Sequence, residues 1–303
     1  MNPATVAASA RRVRAGIAYV AASAVAFGAL AILARIAFAS GVDTSTLLAL
    51  RFGIASVVML ALMRARGMAF PRGSTLGVLV ALGALGYGGQ AVSFFTAIRL
   101  APAGLAALLL YLHPALVAVL AAVFLHERLA TRKLVALAIA LIGTTLTVVP
   151  AIGGDAIAGA PQVLTGLAFA VASAAFYAVY IIVAAAVGRR AEALPMSTCV
   201  IAGAAAVFVV AVLIRGPQWP QTTAGWLAVA SLALLSTVAA ITLYFAGLER
   251  IGPVRASTLS TIEPLCTVVL AAIVLDESLA PVQIAGGVLI LAAAVLIARA
   301  KVE

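Results

Sequence analysis

The chain has 303 residues, of which 65% are hydrophobic and only 9% are charged. A soluble domain carries about a quarter charged residues, so this composition excludes a soluble enzyme or binding module and indicates an integral membrane protein. The net charge of +10 does not indicate nucleic-acid binding, because the basic residues lie at the ends of apolar segments and are not interleaved with aromatic residues.

Ten apolar segments follow one another, and each is close to the ~20 residues that a helix needs to cross a bilayer. We predict transmembrane helices over 16–39, 44–64, 74–97, 102–125, 131–150, 163–186, 196–214, 223–247, 253–275 and 280–299. The first helix follows Arg11, Arg12 and Arg14, and its apolar run is too long for a cleaved signal peptide, so we expect it to be retained. The short connections leave no room for a soluble domain.

Lys and Arg are divided unevenly between the two sides of the predicted membrane. With a cytoplasmic amino terminus, the cytoplasmic segments hold fifteen of these residues and the opposite segments hold three. This bias follows the positive-inside rule. It predicts a multi-pass protein whose two termini are both cytoplasmic.

The chain carries one pattern twice, 150 residues apart. The stretch LLYLHPALVAVLAAVFLHERL at 109–129 superposes without a gap on LSTIEPLCTVVLAAIVLDESL at 259–279. In both copies a proline, Pro114 or Pro264, stands inside an apolar helix directly after an ionisable residue. We expect a duplicated membrane unit with these two prolines near its centre.

The predicted fold is all-α, with ten transmembrane helices in two five-helix halves, 1–150 and 151–303. Because five is odd, the second half enters the membrane from the opposite side, and the two halves form inverted repeats. Inverted repeats are typical of secondary transporters, which bind their substrate near the midplane between the halves.

On these motifs the chain resembles the ten-helix EamA family of the drug/metabolite transporter superfamily. The motifs are a central proline in the fourth helix of each half, an acidic residue that closes that helix (Glu127 and Glu277), Arg51-Phe52 in the second helix and Glu263-Pro264 in the ninth. Among family members it looks most like bacterial exporters of amino acids, including aromatic ones. The resemblance implies a transporter of the bacterial inner (plasma) membrane that exports amino acids or related metabolites by alternating access.

Four alternatives stay open at this point: export of another small metabolite or drug within the same superfamily, carriage of nucleotide sugars within that superfamily, a channel, and an intramembrane enzyme. For an enzyme, His126-Glu127 begins like a zinc-protease helix, but Ala130 stands where the second histidine is needed. No Walker sequence is present, so no ATPase partner is implied. We expect no cofactor and no metal, and the expected partners are a small-molecule substrate and membrane lipid, not nucleic acid. Proton-coupled and facilitated export are both compatible with the residues.

Glu263 is the first candidate site residue, because it alone among nine acidic residues lies near the middle of a helix. A charge at that depth is costly, so we expect it to bind a substrate ammonium or a coupling proton, or else to hold the backbone around Pro264. His113 precedes Pro114 at the matching position, and it either contacts substrate, pairs with Glu263 or is a satisfied histidine between helices. Tyr111 is two residues away and should point to a different face, so both side chains should not look straight into one cavity.

Both prolines remove a helical hydrogen bond. Pro114 cannot donate to the carbonyl of Leu110, and Pro264 cannot donate to that of Ser260. We therefore expect a kink at each proline. Ser260 lies at the second kink, where its hydroxyl either contacts substrate or hydrogen-bonds between helices.

A stripe of side chains on the third helix is the next candidate. Tyr87, Gln90 and Phe94 fall on one face, at i, i+3 and i+7, and Tyr244 lies on the corresponding stripe of the eighth helix. We expect this stripe to line a cavity, since a buried amide is costly unless it is used. Tight helix packing is the alternative.

The remaining candidates are Ser173, Tyr177 and Arg51. Ser173 lies in a small-residue stretch of the sixth helix that also favours close packing, and Tyr177 follows it as an aromatic surface for a substrate ring. Arg51 lies about eight residues into the second helix, where it either snorkels outward or holds a substrate carboxylate.

Overall fold

The computed structural model describes residues 3–101, 106, 109–127, 129–148, 161–187, 192–275 and 280–299. For residues 3–9, 31, 98, 99, 161, 271 and 275 it describes only the backbone. Glu277 of the predicted motif, together with residues 102–105 and 149–150 at the ends of two predicted segments, lies outside these ranges.

Ten apolar helical segments build the described part of the chain: nine helices are long enough to cross a membrane, and the twelve-residue helix His113–Phe124 belongs to the fourth segment. We number them α1 (Pro3–Gly28 and Leu30–Ala39), α2 (Thr44–Ala65), α3 (Ser74–Ala81, Leu82–Tyr87 and Gly88–Leu100), α4 (His113–Phe124), α5 (Thr131–Val148), α6 (Pro161–Val187), α7 (Ala193–Arg215), α8 (Thr223–Ala233, Leu234–Ala239 and Ala240–Ile251), α9 (Pro253–Ser260 and Ile262–Leu275) and α10 (Pro281–Arg299). The predicted all-α fold is confirmed. The predicted ends move by a few residues, as at α7, which begins at Ala193.

Side-chain caps set the starts of two helices. The Asp43 carboxylate accepts hydrogen bonds from the backbone N–H groups of Ser45 (3.0 Å) and Thr46 (3.2 Å) at the start of α2. The Thr222 hydroxyl accepts from the N–H of Gly225 at the start of α8, at 3.1 Å. These caps satisfy N–H groups that have no partner inside the helix, so each helix begins where its apolar run begins.

The most extensive helix contacts join one half of the chain to the other. They pair α5 with α10, α3 with α6, α1 with α8 and α2 with α7. An axis that exchanges the halves turns the α1–α8 pair into the α6–α3 pair and maps the other two pairs onto themselves. The α5–α10 pair is close because it uses glycine: a Cβ on Gly143 would lie 2.8 Å from the carbonyl oxygen of Gly286. The structure therefore has the two inverted five-helix repeats that the sequence predicts.

The two prolines lie at helix breaks rather than at kinks. A turn at Tyr111 and Leu112 interrupts the fourth segment directly before His113, and Thr261 interrupts α9 directly before Ile262. Each proline thus occupies the first turn of a new helical piece, where its missing N–H costs nothing. Both breaks lie in the middle of the membrane-spanning segments, where irregular backbone is tolerated only beside protein or a wet cavity.

Two π-helical segments, which the sequence did not reveal, lie at nearly equivalent positions in the repeats. They are Leu82–Tyr87 in α3 and Leu234–Ala239 in α8. Single π turns inside α-helices occur mainly at functional sites, because they shift side chains relative to the regular helix. Here the α3 segment contains Tyr87, and the α8 segment contains its repeat mate Thr237.

Candidate functional site

A cavity of about 190 Å³ lies between the two halves, with walls from helices of both. This is smaller than the 300–1,000 Å³ of a typical drug-sized pocket, so it has room for one small metabolite. Seven of the ten predicted site residues line it, namely Tyr87, Gln90, Phe94, Tyr111, His113, Tyr177 and Glu263. Their contact with a substrate remains a prediction, but the structure brings them together.

The other three predicted residues do not line this cavity. The Ser173 hydroxyl donates to the carbonyl oxygen of Gln90 at 3.0 Å and accepts from its Nε2 at 3.3 Å, so it joins α6 to α3. The Ser260 hydroxyl donates to the carbonyl oxygen of Ala256 at 2.9 Å, within its own helix. Tyr244 is buried in the core. The bonds of Ser173 are the packing alternative. For Ser260 the expected hydrogen bond between helices is wrong, because its hydroxyl bonds a backbone carbonyl one turn earlier in the same helix.

Tyr111 and His113 both line the cavity, so the expectation that they face apart is wrong. That expectation assumed an unbroken helix, whereas the turn at Tyr111 and Leu112 resets the direction of the side chains. His113 makes no hydrogen bond to Glu263 in the described part of the chain. Its Nδ1 instead lies 3.0 Å from the carbonyl oxygen of Leu110, the acceptor that Pro114 leaves unused.

Arg51 does not snorkel outward, because it is only 5% exposed and lies between α3 and α8. Its Nε donates to the Thr237 hydroxyl at 2.7 Å. Its Nη2 donates to the carbonyl oxygen of Ser236 at 3.0 Å and to the Tyr87 hydroxyl at 3.3 Å. Thr237 and Tyr87 are repeat mates, and each belongs to a π segment. Arg51 therefore ties the two π segments together across the halves, and it also lines the cavity. Its Nη1 has no hydrogen bond within the described residues.

Glu263 lines the same cavity from the start of the second piece of α9. In the part of the chain that the structure describes, its carboxylate makes no hydrogen bond and no ion pair. A guanidinium and a carboxylate thus share one small cavity without pairing with each other. Charges at membrane depth need compensation, so this arrangement favours a ligand that brings a charge to each of them.

Further residues of the wall could not be singled out in advance. Phe27, Leu30, Phe52, Phe95, Leu110 and Thr267 also line the cavity. The Thr267 hydroxyl donates to the carbonyl oxygen of Gly28 at 3.0 Å, which joins α9 to α1 next to Glu263. In the sequence, the apolar residues of this wall cannot be told from residues that face lipid. The one usable signal is the repeat: a residue 150 positions from a predicted site residue occupies the equivalent place in the other half.

Tyr244→Phe is expected to leave transport unchanged and to stabilise the protein by about 1 kcal/mol. The Tyr244 hydroxyl is buried without a hydrogen-bond partner among the described residues, and such a group costs stability. The measurements are the thermal unfolding midpoint in detergent and the transport rate in liposomes. Tyr177→Phe, which changes the cavity wall, is the matched variant and should alter apparent affinity. A large loss of stability or transport in Tyr244→Phe would contradict this assignment.

Comparison with known proteins supports a transporter. The EamA-like transporter family matches the chain twice, over residues 14–149 and 164–299, one match in each predicted half. A relative in Synechocystis sp., named as the uncharacterized transporter sll1319, is 28% identical over 215 residues, which span 70% of this chain and 64% of that protein. An uncharacterized transporter of Archaeoglobus fulgidus is 28% identical over 200 residues, covering 66% of this chain and 68% of the relative.

A solved structure has the same fold. This crystal structure of a protein superposes with a TM-score of 0.80 at 23% identity, and the match covers 94% of this chain and 96% of the other. The two family matches fall on the two five-helix halves of the structure, α1 to α5 and α6 to α10. The protein is a multi-pass membrane protein, and it belongs to the EamA-like transporter family.

Proposed function

We propose that the protein carries zwitterionic amino acids, aromatic ones foremost, out of a bacterial cytoplasm by alternating access. The observation that supports this most directly is the pair of opposite charges, Arg51 and Glu263, which line one cavity without bonding to each other. The carboxylate of an amino acid fits Arg51, and its ammonium group fits Glu263. Charge-assisted hydrogen bonds of this kind are about twice as strong as neutral ones.

Aromatic rings support the choice of side chain. Phe27, Phe94, Tyr111 and Tyr177 stand around the two charged groups. Their flat apolar faces suit a planar substrate ring, and offset or edge-on ring pairs add about 0.5–1.5 kcal/mol beyond the area that they bury. A volume of about 190 Å³ suits one amino acid better than a peptide or a nucleotide sugar.

The interlocked halves support the transport cycle. The main helix pairs join one half to the other, and the cavity lies between the halves. In the proposed cycle, rocking of one half against the other opens this cavity to each face in turn. The helix breaks border the cavity, and both π segments bond Arg51 of its wall. In the proposed cycle the backbone bends at these places. The positive-inside bias supports a cytoplasmic location of both termini. The resemblance to bacterial amino-acid exporters supports a location in a bacterial inner membrane and outward transport.

The zwitterion is tested with analogues that lack one charge. The assay measures uptake of labelled phenylalanine by purified protein in sealed liposomes. Unlabelled phenylalanine, phenylpropionate and phenethylamine are added as competitors. Phenylpropionate lacks the ammonium group and phenethylamine lacks the carboxylate, so each should compete at least about tenfold more weakly than phenylalanine. Equal competition by either analogue would contradict the assignment of that charge.

Glu263→Gln is expected to weaken phenylalanine binding about tenfold to hundredfold, because a hydrogen bond to a charged group contributes about 1.5–3 kcal/mol. The weak binding of phenylpropionate should change little, since this analogue has no ammonium group. The measurement is the ratio of the two half-inhibitory concentrations. Glu249→Gln is the matched control, because Glu249 is partly exposed and forms a surface ion pair with Arg12 at 3.3 Å. An unchanged ratio in Glu263→Gln would assign the ammonium group to another partner.

A further inference from the structure

The two ring nitrogens of His113 are in different situations. Nδ1 lies 3.0 Å from the carbonyl oxygen of Leu110, and a carbonyl oxygen only accepts, so Nδ1 carries the proton of this hydrogen bond. In the neutral ring, Nε2 is then an acceptor with a free lone pair. The helix break thus fixes the tautomer: Pro114 frees the Leu110 carbonyl, and the histidine side chain takes it.

Nε2 has no hydrogen-bond partner within the described residues, although His113 is only 2% exposed. Two other buried side-chain atoms of the described chain share this condition, the hydroxyl oxygens of Thr144 and Tyr244. Neither Thr144 nor Tyr244 lines the cavity, whereas His113 does. Buried polar atoms normally have a partner, so an unpaired acceptor on a residue of the cavity wall favours a ligand as the source of the donor.

The ring is also held in place by its neighbours. Its centroid lies 4.6 Å from that of Tyr177 and 6.4 Å from that of Tyr111, and both tyrosines line the cavity. An acceptor that is fixed in both tautomer and orientation, and flanked by aromatic rings, suits a donor on an aromatic ring. Glu263 is the better partner for the ammonium group, because it carries the opposite charge.

We propose that Nε2 of His113 accepts a hydrogen bond from a polar N–H or O–H group on the aromatic side chain of the solute, such as an indole N–H or a phenol O–H. This rests on the proposed function of the cavity and adds a rule of selectivity to it. A site built to bond such a group discriminates against an analogue that lacks it, because the buried acceptor is then left unpaired.

The test compares tryptophan with benzothienylalanine, in which sulfur replaces the indole N–H at nearly the same shape. Both compete with uptake of labelled phenylalanine into liposomes that contain the wild-type protein. Tryptophan should compete about fivefold to thirtyfold better than the sulfur analogue. Equal competition by the two compounds overturns the proposal without any variant.

Two variants separate this contact from a structural role. His113→Asn keeps an amide N–H near Nδ1 for the Leu110 carbonyl but has no acceptor at the Nε2 position, so the preference for tryptophan should disappear. His113→Gln places an amide oxygen near Nε2 and should keep much of the preference. Thr144→Val, at another unpaired buried atom away from the cavity, should behave like the wild type.

The outcomes are distinguishable. If His113→Asn still prefers tryptophan over benzothienylalanine, the proposed contact of His113 with the solute side chain is wrong. The same holds if the variant binds tryptophan, benzothienylalanine and phenylalanine more weakly by one equal factor. In both cases the proposed amino-acid transport stands. If the wild-type protein moves no amino acid at all, the proposed function and this inference both fail.

Discussion

Replacing Arg51 with lysine is expected to lower the transport rate about a hundredfold, although the positive charge is kept. The guanidinium bonds Thr237 and Tyr87 in repeat-related π segments and also the Ser236 carbonyl oxygen. One lysine ammonium group does not reach the same fork of acceptors while also facing the substrate carboxylate. Losing two buried charge-assisted bonds at about 1.5 kcal/mol each accounts for this factor. The measurement is the initial rate of phenylalanine exchange in liposomes.

Arg12→Lys is the control for this substitution. The Arg12 side chain is 60% exposed and forms a surface ion pair with Glu249, so its replacement should change transport by less than about twofold. If Arg51→Lys also transports at a normal rate, Arg51 serves only as a charge, and its role in joining the two halves is wrong.

Gly83→Ala is expected to destabilise the protein by about 3 kcal/mol and to leave little folded protein in the membrane. A Cβ at this position in the π segment of α3 would overlap the carbonyl oxygen of Val200 and lie 2.7 Å from the carbonyl carbon. These are backbone atoms of α7 that do not move aside as a flexible side chain does, so overpacking is costly here. Size-exclusion chromatography and the thermal unfolding midpoint of detergent-solubilised protein measure the effect.

Gly77→Ala on the same helix is the matched control. No heavy atom lies within 4 Å of the position of its added Cβ, so the substitution should be neutral or should stabilise α3 through its higher helix propensity. Equal stability of the two variants would mean that α3 and α7 do not pack at the distance described.

The architecture was predictable because two strong signals coincide in the sequence. Apolar segments of bilayer length give the helix count, and the 150-residue repeat gives the inverted halves. Glu263 and His113 could be predicted as cavity residues because an ionisable residue and its repeat mate stand out in an apolar helix, and both line the cavity. The stripe of Tyr87, Gln90 and Phe94 was found from its helical period, and the structure places all three in the cavity wall.

What escaped prediction depends on local departures from a regular helix. A turn at Tyr111 and Leu112 brings Tyr111 and His113 to one cavity, whereas an ideal period separates them. The direction of Arg51 is set by acceptors 185 and 186 residues away in sequence, which no local pattern reveals. The Ser260 hydroxyl donates to the carbonyl oxygen of Ala256, one turn earlier in the helix. A hydropathy pattern does not predict which acceptor a serine hydroxyl takes.

The fold alone does not separate a carrier from a channel or from an intramembrane enzyme, but their fluxes differ. A carrier that works by alternating access exposes one site to each face in turn, so substrate on the far side accelerates exchange, because a loaded site returns faster than an empty one. A channel shows no such acceleration, and an enzyme alters the solute chemically.

Counterflow in liposomes tests the central claim most directly. Vesicles that contain the purified protein are loaded with unlabelled phenylalanine, and labelled phenylalanine is added outside at a trace concentration. We predict transient accumulation of chemically intact label above its equilibrium level, abolished when the internal amino acid is omitted. Label that enters protein-free and protein-containing vesicles equally, for phenylalanine, tyrosine and tryptophan alike, would contradict the account.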